Sequence, residues 1–121
     1  MKTLKVGIAT HAQMMARTMA IARGEIKPKA GDPKVWFNSV ESFAKVLSAR
    51  NCALLALIAQ QKPASLTQLE ALSGRKKSNL SRTLHKMELY GLVQLEKGTG
   101  GVIRPRARYE QVALDVNLMS A

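Results

Sequence analysis

The sequence predicts a mainly α fold carrying a small β wing, and three observations over residues 65–108 predict it. A short helix with a capping signal comes first, and the Ser73-Gly74 turn leads from it into a longer helix with one apolar stripe. Two strand-like segments follow, Val93–Lys97 and Val102–Arg106, around the tip Gly98-Thr99-Gly100-Gly101. With 121 residues, 46% of them apolar, the chain has room for one small domain with arms and enough apolar surface for a core.

Residues 1–38 form the expected N-terminal arm. Leu4, Val6 and Ile8 alternate with Lys5 and Gly7, the period of a half-buried strand. Thr10 then caps a helix from His11 to about Arg23, closed by Gly24. Its Met14, Met15 and Met19 read as core or partner-facing packing. Pro28, Gly31 and Pro33 mark the stretch from Glu25 to Lys34 as an extended connector, and Val35–Phe37 as a short strand follows it.

The compact domain is expected over residues 39–108. Ser39 precedes Val40, Phe43, Val46 and Leu47, the spacing of a first helix; Ala49–Gln61 is the second, with Leu54, Leu55, Leu57 and Ile58 on its apolar face. Cys52, the single cysteine, reads as a small core hydrophobe and allows no internal disulfide. Lys62-Pro63 ends that helix. Thr67-x-x-Glu70 is a capping box that opens a short helix, Gln68–Leu72, with Leu69 and Leu72 inward. Residues 109–121 form a tail with a short strand, Val112–Val116. Two isolated strands, Leu4–Ile8 and Val112–Val116, would be marginal alone, so a homodimer is expected.

The third helix of the domain, about Lys77 to Tyr90, decides the function. At about 100° per residue, Leu80, Leu84 and Met87 fall within about 60° of one another. Ser78, Asn79, Ser81, Arg82, His85 and Lys86 fall on the opposite face, and Leu89 lies there too. Arginine can bridge guanine O6 and N7, asparagine can pair with adenine N6 and N7, and serine serves bases or phosphates. Lys76 and Lys77 open the helix; Lys97 and Arg104 sit beside the glycine tip. This order of elements is that of a winged helix-turn-helix, with the long helix (about 77–90) entering a DNA major groove and the wing (97–104) on the backbone.

Charge agrees with that reading. Residues 75–108 hold nine Lys and Arg against two acids, the largest excess in a chain of net charge +11. A basic footprint centred on one element points to a polyanion, here double-stranded DNA. The acids are scattered singly with no His, Cys or Ser constellation, so no enzyme activity is expected. One cysteine and two distant histidines complete no metal spacing, and no cofactor is expected. Five aromatics with no cluster on a strand argue against an RNA-stacking platform. The sequence carries no signal peptide and no membrane span, so the protein is expected in the cytoplasm, away from membranes.

Residues 65–104 resemble the winged helix-turn-helix of MarR- and ArsR-type transcription regulators. The phrase SGRKKSNLSRTLHKMELYGLV is similar to their S-x-x-S-R-x-L-x-x-L-x-x-x-G-L-V, read here on Ser78, Ser81, Arg82, Leu84, Met87, Gly91, Leu92 and Val93. The resemblance implies that Ser78, Asn79, Ser81 and Arg82 approach the groove and the wing approaches phosphate. Two departures stand out: Lys76 replaces the usual side-chain cap, and the long terminal dimerisation helices have no counterpart. With its arm, the chain also resembles small prokaryotic DNA-binding regulators, some of them encoded as antitoxins beside a toxin gene. Two functions follow: a repressor at its operator, or an antitoxin or adaptor whose arms grip a toxin or other partner protein.

Overall fold

Leu4 and Val6 are buried while Lys5 between them is exposed, so β1 (Lys2–Ile8) turns one apolar face inward. The computed structural model describes residues 2–120. It divides into two compact units, Val46–Glu110 and a second made of Thr3–Lys45 with the chain from Gln111. The sequence reading put the helix after the connector, residues 40–46, with the long-helix domain; nearly all of it belongs to the other unit.

In that second unit β1 is the middle strand of a three-stranded sheet, ordered β2 (Val35–Phe37), β1, β5 (Tyr109–Asp115). β1 and β2 run parallel, with Val6 opposite Val35 and Ile8 opposite Phe37. Parallel neighbours need a crossover, and α1 (His11–Ala22) lies on it. The Thr10 hydroxyl accepts from Gln13 N, and the Gln13 side chain accepts from Thr10 N, a complete capping box. α2 (Val40–Val46) follows β2, and Phe37 meets Phe43 edge-on at 5.4 Å. Because the arm and tail strands share a three-stranded sheet, the marginal-pair argument for a homodimer is corrected: the sheet does not require a second copy.

Gly7 sits opposite Trp36 in this sheet, and a Cβ there would lie 2.5 Å from Trp36 Cζ3. Glycine lets the indole lie across the strand. Arg17 stacks over that ring at 5.5 Å and pairs with Asp32 at 3.1 Å. The Asp32 carboxyl is held below its usual value, first by the Lys29 N–H and then by Arg17. Its contribution to stability is therefore present above the ordinary carboxylate range and is lost as pH falls through the lower folded value. Gly7→Ala should destabilise this unit by about 1–3 kcal/mol, because the methyl has no room without displacing the ring. Fluorescence of Trp36, the only tryptophan, reads this directly; an unshifted spectrum and an unchanged midpoint would show that the ring gives way freely.

The Val46–Glu110 unit contains α3 (Ala49–Gln61), α4 (Leu66–Ser73), α5 (Lys77–Leu89) and an antiparallel hairpin, β3 (Val93–Lys97) with β4 (Ile103–Ala107). Ser48 caps α3, and Lys62 in the left-handed region ends it ahead of buried Pro63. Its core side is Leu54 and Ile58. Cys52 is exposed, against the core role read from the sequence: about 160° from Leu54 on the helix, it lies on the far face.

The capping box at Thr67 is also corrected. Ser65 is the cap, its hydroxyl accepting from Gln68 N, while the Gln68 side chain accepts from Ala64 N. Starting two residues earlier places Leu66 inside the helix, and Leu66 with Leu69 forms the buried pair. Leu72 is 42% exposed in consequence, not inward. Gly74, with positive φ, closes α4 and opens the turn into α5.

Candidate nucleic-acid interface

Leu80, Leu84 and Met87 are all buried, so α5 lies with one side against its own unit. It packs on α4 and β3. The opposite side carries Ser78, Arg82, His85 and Lys86, all exposed, and Leu89 at 87% exposure. Ser81 is half-buried; its backbone carbonyl lies 2.6 Å from His85 Nδ1. Between Glu70 and Glu88 the chain carries five cations and no acid. That face is therefore polar and cationic, with Arg82 and Lys86 exposed on it.

Lys76 is the N-cap residue of α5 and makes no side-chain capping bond. The missing acceptor comes from the preceding helix: Glu70 Oε2 accepts from Lys77 N at 2.7 Å. Sequence reading assigned Glu70 to the start of its own helix. It ties the turn shut instead, leaving the Lys76 and Lys77 side chains exposed at the start of α5.

Asn79 is the site residue that the structure turns elsewhere. Its Oδ1 accepts from Arg75 Nε at 3.0 Å and from Arg75 Nη2 at 2.7 Å. It lies half-buried at the flank of the outer face, so its amide oxygen is already occupied. Arg75 was not singled out in the sequence, where it reads as one more cation in a basic run. It is buried, 9% exposed, and burial followed by the like charge of Arg50 pushes its pKa down.

The hairpin places its cations by alternation. Arg104 and Arg106, two apart on β4, are exposed, while Pro105 between them is buried opposite Leu95. Arg104 is not wholly free: its Nη2 donates to Glu96 Oε1 at 2.7 Å, and Arg106 approaches the same oxygen at 3.7 Å. The Glu96 carboxyl is held below its usual value, chiefly by that Arg104 bond. Lys97 is exposed at the end of β3. The tip between the strands closes when Gly98 N donates to Val102 O at 2.7 Å, with Gly100 and Gly101 at positive φ. Arg106 joins the cationic surface of the hairpin; the period-2 pattern Arg104-x-Arg106 was the signal for it.

Among the described residues, no group of three His, Cys, Asp or Glu is placed to hold a metal. No single helix among them is long and apolar enough to cross a membrane. A family model described as HVO_A0114 matches residues 46–114, more than half of the chain. The chain belongs to the HVO_A0114 family. The match begins at the first residue of the Val46–Glu110 unit, so what defines an HVO_A0114 protein includes α3 to β4 and runs on into β5. The chain is also similar to a solved structure, that of a predicted DNA-binding transcriptional regulator from E. coli, at 18% identity. That similarity covers 79% of this chain and 85% of the other, with a TM-score of 0.47. A likeness at that level bears no weight on function. No curated protein matches the chain.

Proposed function

We propose that this HVO_A0114 protein is a sequence-specific regulator of transcription that binds double-stranded DNA and acts as a repressor by occupying its operator. The observation that carries the proposal is the outer face of α5, where Ser78, Arg82, His85 and Lys86 are exposed opposite the buried Leu80, Leu84 and Met87. In this reading α5 enters the major groove, and the β3–β4 hairpin is the wing of a winged helix-turn-helix resting on the backbone. The motif resemblance to MarR- and ArsR-type regulators supports the same assignment. The role is one of binding in the cytoplasm, not of catalysis.

Salt dependence tests the electrostatic half of this reading. Binding to duplex DNA should weaken with salt, log K falling by about 0.9 per log unit of salt for each phosphate contact neutralised. Lys97→Ala should reduce affinity for every sequence alike and flatten that slope by roughly one unit. An affinity that ignores salt, or a mutant with the parent slope, would take the hairpin off the backbone.

A second reading is favoured by α1, of whose residues none is buried and on which Met15 and Met19 are 52% and 47% exposed. Adaptable methionines in the open suit a second copy of this chain or, in an antitoxin or adaptor, a partner protein. Sedimentation of the full chain separates a homodimer from a monomer, and Met15→Glu with Met19→Glu should dissociate the dimer.

A further inference from the structure

The guanidinium of Arg75 makes four hydrogen bonds, each to a neutral oxygen. Nη1 donates to Asn51 Oδ1 at 3.0 Å, Nε and Nη2 to Asn79 Oδ1, and Nη2 to Thr83 Oγ1 at 3.2 Å. Asn51 belongs to α3, and its amide orientation is fixed because Nδ2 donates to Val46 O at 3.0 Å. Asn79 and Thr83 are one turn apart on α5 and share a side of that helix. A rigid planar fork therefore joins α3 to two successive turns of α5 from the loop between α4 and α5.

We infer that Arg75 is a positioning residue that sets the rotation of α5, and so the aim of the side chains on its outer face. The inference rests on the reading of that face as the DNA-contacting one. Two directional anchor points one turn apart, tied to α3 through the same guanidinium, resist both rotation and tilt of α5. The apolar stripe alone leaves slack, because leucine and methionine contacts have no direction, whereas hydrogen bonds do. A turn of about 10° would move atoms at the tips of the outer side chains by roughly 1 Å, enough to break bidentate base contacts. The choice of arginine follows: lysine presents a point charge with no fork, and a carboxylate in place of Asn51 or Asn79 would cancel positive charge beneath a face that meets a polyanion.

The test compares Arg75→Lys with the parent on two duplexes: one selected by the parent protein from a random pool, and one unrelated. Measurements are made at one salt concentration on samples shown to be folded by circular dichroism. The selected duplex should bind about tenfold more weakly and the unrelated one within about twofold, because charge is kept and aim is lost. A uniform loss on both duplexes, or no loss, would overturn the positioning role; simple destabilisation changes both alike and leaves their ratio intact. Thr83→Val covers the case in which the lysine variant does not fold. It removes one of the two α5 anchors of the fork without changing charge, so the ratio between the duplexes should fall, and an unchanged ratio in the folded variant would contradict the inference. Amide exchange of α5 without DNA separates this proposal from the DNA reading. If the parent discriminates between no duplexes, faster exchange along α5 in Arg75→Lys still upholds the clamp, and unchanged exchange refutes it.

Discussion

Leu84→Ala is expected to remove about 2–5 kcal/mol of stability, the largest loss from any single change considered for this chain. Leu84 is 0% exposed at the centre of the Leu80, Leu84, Met87 stripe, and deletion of its branch leaves a void facing α4 and β3. Folded domains hold roughly 0.05–0.15 kcal/mol per residue, so the Val46–Glu110 unit has about 3–10 kcal/mol in all. The variant should therefore unfold at much lower denaturant and lose DNA binding with the fold. Urea titration followed by circular dichroism measures it. A shift below about 1 kcal/mol would mean that neighbouring side chains close the void and that α5 is not seated by this leucine.

Arg82→Ala should do the reverse, sparing the fold and damaging recognition. Arg82 is exposed on the side of α5 away from the stripe, so its truncation opens no void. If the guanidinium bridges a guanine, specific binding should weaken by about 1–3 kcal/mol, with relaxed preference at one position of the site. Binding to unrelated duplexes should fall far less. Titration of folded variant against the selected duplex and against single-base substitutions of it reads both effects. Unchanged affinity would place Arg82 outside the contact, and the outer face would then have to be read through Ser78 and Lys86.

What the sequence made legible was whatever depends on near neighbours. The span of α3, the Thr10 cap and the Leu80, Leu84, Met87 stripe follow from local spacing, and the structure has them in place. The errors share a cause. Ser65 and Thr67 both offer a hydroxyl three residues ahead of a Gln or Glu, and only the burial of Leu66 decides between them. Asn79 reads as a base-contacting amide until Arg75 is seen to take its oxygen. Cys52 is apolar by composition, but its angle on α3 sends it to solvent. The parallel pairing of β1 with β2 lies beyond local pattern altogether, since it depends on the path the chain takes through α1.

The sheet β2-β1-β5 also governs the order in which the protein can assemble. Its third strand begins only at the end of the Val46–Glu110 unit, and Thr3 is joined to Gln111 across 108 positions of sequence. A ribosome adding about 5–20 residues per second needs about 4–16 s to pass from Phe37 to Asp115. During that interval β1 has one neighbour and one bare edge, a row of unpaired amides and carbonyls open to any other strand. Within the Val46–Glu110 unit, by contrast, α4 packs on α5, α5 on β3 and β3 on β4, each on the next element in the chain, so these pairs can form as they emerge. Synthesis therefore completes the Val46–Glu110 unit before the β2-β1-β5 sheet has its third strand in full.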